Sequence, residues 1–364
     1  MWENDPRMRS FYAAVVLISM WTPAYGQKRL VIIDEDGNGP GGSDQMAIIA
    51  LLQSTKVQVL GITIVTGDAW RDEGVQHTLR MIELMGRSEV PVVPGAVFPL
   101  VRTQEETRLE AQLAGKATWL GAWGGDGSAS AKTHGPWEIP PLREGSPAKK
   151  PLNEDAAHFL IRQVNAHPGE VTIYAGGPLT NIALALSIDP HFAEATKGIV
   201  IMGGSINPRT EDPDFANNPR HEFNFWFDPE AAHIVLRAGW PRIDVTTVDV
   251  SIKAMFSQAM VDAIAASRYP AAQYIARYSE ERNYLWDEIA ACAWLDPGII
   301  TKEREVYMDV DLSHGPGYGD TLTWDEKTKP ATGVRLVHAQ VDLDAARFTG
   351  MFVGLMSSAP PGRE

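Results

Sequence analysis

Two kinds of apolar spacing alternate along the chain. Residues 29–33, Arg-Leu-Val-Ile-Ile, form a continuous β-branched run that stops at an acidic cluster. A strand buried on both faces reads this way, so the run predicts a central parallel strand feeding a loop. Residues 57–65, 90–93, 171–175, 198–202 and 243–248 are also read as strands. Residues 45–53, 74–85, 155–166, 181–186 and 228–238 are read as helices. The last of these opens on Asp228-Pro229, a capping aspartate followed by proline in the first turn. Residues 254–300 read as mostly helical. The C-terminal part alternates more and contains Gly315-Pro-Gly-Tyr-Gly319. Strands alternating with helices predict an α/β chain, with a mainly parallel central sheet flanked by helices on both faces. Residues 100–150 change character, being rich in Gly, Ser, Lys, Glu and Pro with Trp119, Trp123 and Trp137 interspersed. They are expected to form an insertion or lid with weak regular structure. No linker divides residues 27–364, which read as a single domain, and there is no internal repeat.

Composition narrows the partners. The 364 residues carry a net charge of −14, so the chain has no electrostatic reason to bind nucleic acid or an anionic membrane. Its single cysteine, Cys292, lies in an apolar run and is expected to be a buried structural thiol. At the N-terminus, Arg7 and Arg9 precede a short apolar run, residues 11–21, followed by Ala24-Tyr25-Gly26. This is the layout of a secretory signal peptide over residues 1–26, too short to span a bilayer permanently. It predicts a secreted or periplasmic protein. An unused leader would leave the chain cytoplasmic.

The loop after the first strand carries the chemistry. Gly37-Asn-Gly-Pro-Gly-Gly42 matches the G-x-G-x-x-G pattern between a strand and a helix. A dinucleotide pyrophosphate would nevertheless meet Asp34, Glu35, Asp36 and Asp44 there and no Lys or Arg, the reverse of an anion site at a helix N-terminus. The strand at 57–65 also lacks the expected ribose-binding acid. A hard cation reverses the argument. Asp36 and Asp44 can converge on a Ca2+ ion, and the glycines let the backbone fold back to aim them inward. Asp34, one strand period earlier, could brace that ligand set. The competing reading is an acidic turn with a capping Asp44.

A series of blocks decides between these. Val31-Ile-Ile-Asp-Glu-Asp36 and Pro40-Gly-Gly-Ser-Asp-Gln-Met-Ala-Ile48 resemble the N-terminal signature of the nucleoside hydrolases. Similar blocks follow in order at residues 60–67, 90–96, 177–183, 200–204, 222–224, 228–232 and at Trp286-Asp287. The resemblance implies the Rossmann-like fold of that family and calcium-dependent hydrolysis of the N-glycosidic bond of ribonucleosides, as well as dimers or tetramers. It implies Asp36, Asp44, the carbonyl of Gly176 and Asp287 as calcium ligands, with Asp36 as general base. It places Asn217, Glu222 and Asn224 on the ribose hydroxyls. The chain departs from the pattern in several places. Gly37-Asn38-Gly39 is extra. Ser43 stands where the family has a ribose-binding aspartate, so that Ser43 or Asn38 would take its task. Asp68 stands where many members have asparagine. Trp286 replaces a histidine acid, as in the purine-specific branch, where indoles stack on the base. Trp119 or Trp123 would supply a second aromatic wall. Without that histidine, base departure would draw its proton from solvent or from Asp68. Two rivals remain: hydrolysis of another N-riboside such as nicotinamide riboside, and a secreted nucleoside-binding protein without catalysis.

Overall fold

The computed structural model describes residues 28–113, 115–124, 134–279 and 283–361. The leader expected over residues 1–26 lies outside them. Nine strands form one sheet: β1 Arg29–Glu35, β2 Val57–Ile64, β3 Val92–Pro94, β4 Val171–Ala175, β5 Gly198–Met202, β6 Ile243–Thr246, β7 Ile300–Val310, β8 Thr321–Trp324 and β9 Arg335–Leu343. Their order is β3-β2-β1-β4-β5-β6-β9-β7-β8. Strands β3 to β9 in that order run parallel, and β7 pairs antiparallel with both β9 and β8. The continuous β1 run is buried from Val31 to Glu35, as a strand covered on both faces must be.

Thirteen helices are seen among the described residues. Along the first half run α1 Ser43–Gln53, α2 Arg71–Leu84, α3 Gln104–Leu113, α4 Ala156–Ala166, α5 Thr180–Ile188, α6 Pro213–Asn217 and α7 Phe223–Phe227. The rest are α8 Pro229–Arg237, α9 Val248–Ser251, α10 Gln258–Ala265, α11 Pro270–Tyr278, α12 Asp287–Leu295 and α13 Ala345–Met356. One apolar core gathers α1, α2 and α10 to α13 against the sheet, and a second gathers α4, α5 and α8. Cys292 is fully buried in the first and unpaired. No described helix is long and apolar enough to cross a membrane.

Expected strands and helices recur within a few residues of their ends, with some corrections. The strand expected over 243–248 stops at Thr246 because the chain turns into α9. Within 100–150, α3 is a regular helix, and its apolar Leu109 and Leu113 are exposed. The C-terminal part is a long antiparallel extension of the sheet rather than mere alternation.

Topology places the site. From β1 the chain winds outward to β2 and β3, then returns to β4 on the other side of β1 and winds away through β5 and β6. The direction reverses between β1 and β4. In open parallel sheets, ligands bind at the carboxyl ends of the strands flanking such a reversal.

Candidate active site

Asp36 lies one residue beyond β1 and Gly176 one residue beyond β4, both at that crevice. Past Asp36 the backbone folds back on two glycines in the left-handed region, Gly37 (φ 64°) and Gly41 (φ 78°). It thereby delivers Asp44 into the first turn of α1, where its carboxylate accepts the Asn38 N–H. Asp36 accepts the Asp68 N–H at 2.7 Å. A Cβ on Gly67 would lie 2.1 Å from Asp36 Oδ2, so only glycine fits there. From across the crevice α12 brings Asp287, whose carbonyl accepts the Tyr174 hydroxyl at 2.9 Å.

These groups border a cavity of about 550 Å³. Among the described residues its lining includes eight acidic side chains, Asp36, Asp44, Asp68, Asp212, Asp214, Glu222, Asp287 and Glu288, against one arginine, Arg143. Burial first, then the charges of Asp44 and Asp68, holds the Asp36 carboxyl well above its ordinary range. Asp44 is raised to about 6, and Asp68 and Glu288 to about 8, each mainly by burial. Burial also pushes His221 on the lining down to about 4, with help from the Arg102 charge. The N-termini of α1, α7 and α12 present partial positive charge to this cluster, which offsets only part of it.

Two residues that sequence reasoning passed over belong to the cluster. Glu35, fully buried, has no hydrogen-bond partner among the described residues on either carboxylate oxygen, and its carboxylate rests against Gly176. Glu288, also fully buried, leaves Oε1 without a partner, as Asp287 leaves Oδ1. Buried carboxylate oxygens are costly unless a donor or cation meets them. Glu35, Asp36 and Asp44 each offer an oxygen within 4.8 Å of the others. This all-oxygen, anionic donor set fits a hard divalent cation. The Gly176 carbonyl accepts Asn224 Nδ2–H at 2.6 Å and keeps a second lone pair. Glu35 was visible in the acidic cluster that ends β1, but nothing in the sequence showed that its carboxylate lies beside Asp36 and Asp44. Glu288 looked like an ordinary acid in a first helical turn. The missing carboxylate at Ser43 was the one signal pointing to a substitute elsewhere.

Other expected residues divide. Asn38, Ser43, Asp68, Glu222, Asn224 and Trp286 all line the cavity. Glu222 caps α7, accepting the backbone N–H groups of Gly204, Asn224 and Phe225 at 2.7–3.0 Å. Asn217 does not line the cavity: it ends α6 exposed to solvent, because the short helix turns it outward. Asp34 braces neighbouring elements instead of Asp36, accepting Asn181 Nδ2–H at 2.7 Å and the Thr63 hydroxyl. Of the two candidate indoles, Trp119 reaches the cavity and donates to Asp68. Trp123 is buried against Phe227, 4.3 Å between rings. Trp286 is flanked by Phe215 and Tyr284 at 5.6 and 5.4 Å, and all three line the cavity.

Residues 31–349 match a family model described as inosine-uridine preferring nucleoside hydrolase. A probable uridine nucleosidase 2 of Arabidopsis thaliana is 32% identical over 292 residues, 76% of this chain and 81% of its own. A pyrimidine-specific ribonucleoside hydrolase of Salmonella arizonae is 33% identical over 247 residues, 68% of each chain. Among solved structures, a purine-preferring ribonucleoside hydrolase from Gardnerella vaginalis superposes with a TM-score of 0.70 at 23% identity, covering 90% of this chain and 98% of its own.

Proposed function

Because the chain belongs to the inosine-uridine preferring nucleoside hydrolase family and is an N-glycosyl hydrolase of that kind, we propose that it cleaves purine ribonucleosides to free base and ribose with a bound calcium ion. One observation carries the reading: the buried Glu35 carboxylate, unpartnered among the described residues, offers an oxygen within 4.8 Å of Asp36 and Asp44 at the carboxyl end of β1, where Asp36 and Asp44 border a cavity with an aromatic lining. Asp36, Asp44, Asp287 and the Gly176 carbonyl would hold the cation, with Glu35 beneath them. When bound, calcium supplies Lewis acidity toward a water and an anchor for vicinal hydroxyls.

The chain's own groups do the rest. Asp36, fixed by the Asp68 N–H, takes a proton from the attacking water as general base. Glu222 and Asn224 face the sugar. The carboxylates around C1′ stabilise positive charge developing on the ring as the base leaves. The Trp286 and Trp119 indoles hold a flat base by burial and stacking. With no histidine beside Asp287, the departing base takes its proton from solvent or from Asp68.

Asp36→Asn keeps the shape and removes the base. Release of hypoxanthine from inosine should fall by at least about 10²-fold, the ordinary contribution of a positioned base. Near-normal release by a folded variant overturns the reading. A pyrimidine preference is the second reading, favoured by the uridine and pyrimidine activities in the names of the relatives at 32% and 33% identity. Comparing kcat/KM for inosine and uridine decides between them. Export through residues 1–26 belongs to the same reading, and N-terminal sequencing of exported protein beginning at Gln27 checks it.

A further inference from the structure

Ser43 and Glu288 meet where the N-termini of α1 and α12 face each other. Ser43 Oγ donates to Glu288 Oε2 at 2.7 Å and accepts the Asp287 N–H at 3.3 Å. The serine hydroxyl thus has its one hydrogen and one of its lone pairs in use. Glu288 is 0% exposed, lines the cavity, and has no partner for Oε1. The serine lacks a carboxylate, and the glutamate beside it brings one to the same point of the lining. A buried acceptor left open there calls for a donor from a ligand. Nucleobase N–H groups can donate as well, but the base is assigned above to the Trp286 and Trp119 indoles, whereas Glu288 adjoins Asp287 and Ser43 on the side assigned to the cation and sugar, where every ribose hydroxyl can donate.

We propose that Glu288 is a substrate-binding residue whose Oε1 accepts a ribose hydroxyl, and that Ser43 is a positioning residue holding Glu288 in that pose. The assignment rests on the ribonucleoside reading above. It makes Glu288 a specificity determinant: a carboxylate left facing a missing hydroxyl penalises the deoxy analogue, because its buried oxygen stays unpaired. It also moves the expected ribose acceptor from Ser43 to the residue that Ser43 holds.

The test compares inosine with 2′-deoxyinosine and 3′-deoxyinosine in the wild-type chain, Glu288→Ala, Glu288→Gln and the swap Ser43→Asp/Glu288→Ala. Glu288→Ala should lose on the order of 100-fold in kcat/KM for inosine and much less for one of the two deoxy analogues, so that discrimination at that hydroxyl collapses. The swap should recover about tenfold over Glu288→Ala by restoring a carboxylate from the α1 side. Calcium affinity, measured by calorimetry without nucleoside, should stay within about threefold of wild type. Unchanged discrimination in Glu288→Ala overturns the proposal. So does a loss of calcium affinity as large as the loss in kcat/KM, which would make Glu288 a cation ligand. If Glu288→Ala does not fold, Glu288→Gln, which keeps the Ser43 contact, is read in the same way. Calorimetric binding of the three nucleosides tests Glu288 independently of turnover. A chain that binds inosine without cleaving it overturns the reading above but not this assignment; one that binds none of the three overturns both.

Discussion

Trp286 shows how one side chain sets the chemistry available at the leaving group. It cannot donate a proton from a titrating ring, and it sits between Phe215 and Tyr284 as part of a broad aromatic surface. Such a surface holds a large flat base better than a small one, at about 1–3 kcal/mol per stacked base. Trp286→Ala should therefore lower kcat/KM for inosine by about 10- to 100-fold and lower that for uridine less. Equal losses for both substrates would show that the indole does not discriminate between bases. At this scale what was legible in the sequence is which residues reach the cavity. Asp36, Asp44, Asp287, Glu222, Asn224 and Trp286 all reach the cavity, except that Asp36 and Asp44 alone could be argued from charge and spacing. Glu35 was illegible because its strand position says only that it is buried, not what its carboxylate faces. Asn217 was assigned by the family resemblance alone, outside the matched blocks, and it ends a five-residue helix exposed to solvent.

At the scale of elements, the glycine-rich loop is what brings a carboxylate at a strand end, Asp36, and one at a helix start, Asp44, within reach of each other. Gly41 is the tightest point: φ is 78°, and a Cβ would lie 2.7 Å from the Ser279 backbone nitrogen at the end of α11. Gly41→Ala pays twice, in left-handed strain of about 1–2 kcal/mol and in displacement of a packed backbone. The urea midpoint should fall, and calcium affinity should fall with it, because Asn38, which tethers Asp44, lies in the same loop. A variant with a lowered midpoint and wild-type calcium affinity would separate the loop from the site. The long runs that became β1, β2, β4 and β5, and α1, α2, α4 and α5 among the helices between them, could be read from the apolar pattern, whereas α3 was not. The short α6, α7 and α9 could not, since a few residues carry no measurable period. Nor could the pairing of β7 with β9, which is fixed by long-range contact rather than by local pattern.

At the scale of the molecule, the site is a store of like charge held inside the fold, and pH exposes it. Without a cation, Asp44 is raised to about 6, Asp34 to about 7, and Asp68 and Glu288 to about 8, with burial the leading cause in each. An unfolded chain loses these protons near pH 4. A folded-state value above the unfolded one contributes stability that is complete below about pH 4 and is lost as pH rises through the folded values. The cation-free protein should therefore be more stable at pH 5 than at pH 8, with a slope of about 1.4 kcal/mol per pH unit for each proton retained by the native state. Carboxyls lowered by their partners, such as Glu73, act with opposite sign below pH 4.5, outside this range, and His221, lowered to about 4, opposes the trend by one proton only between about pH 4 and 6.5. On the proposed reading calcium would take the ionised forms of its ligands and release their protons, so its stabilisation should grow with pH. Thermal melts at pH 5, 6.5 and 8, with saturating calcium or with a chelator, should give curves that diverge toward alkaline pH. Parallel curves would mean that Asp44 and the other proposed ligands do not hold the ion. Because Asp34 and Glu288 titrate in the same window without being proposed as ligands, Glu288→Gln should flatten the chelated curve while leaving the gain from calcium in place.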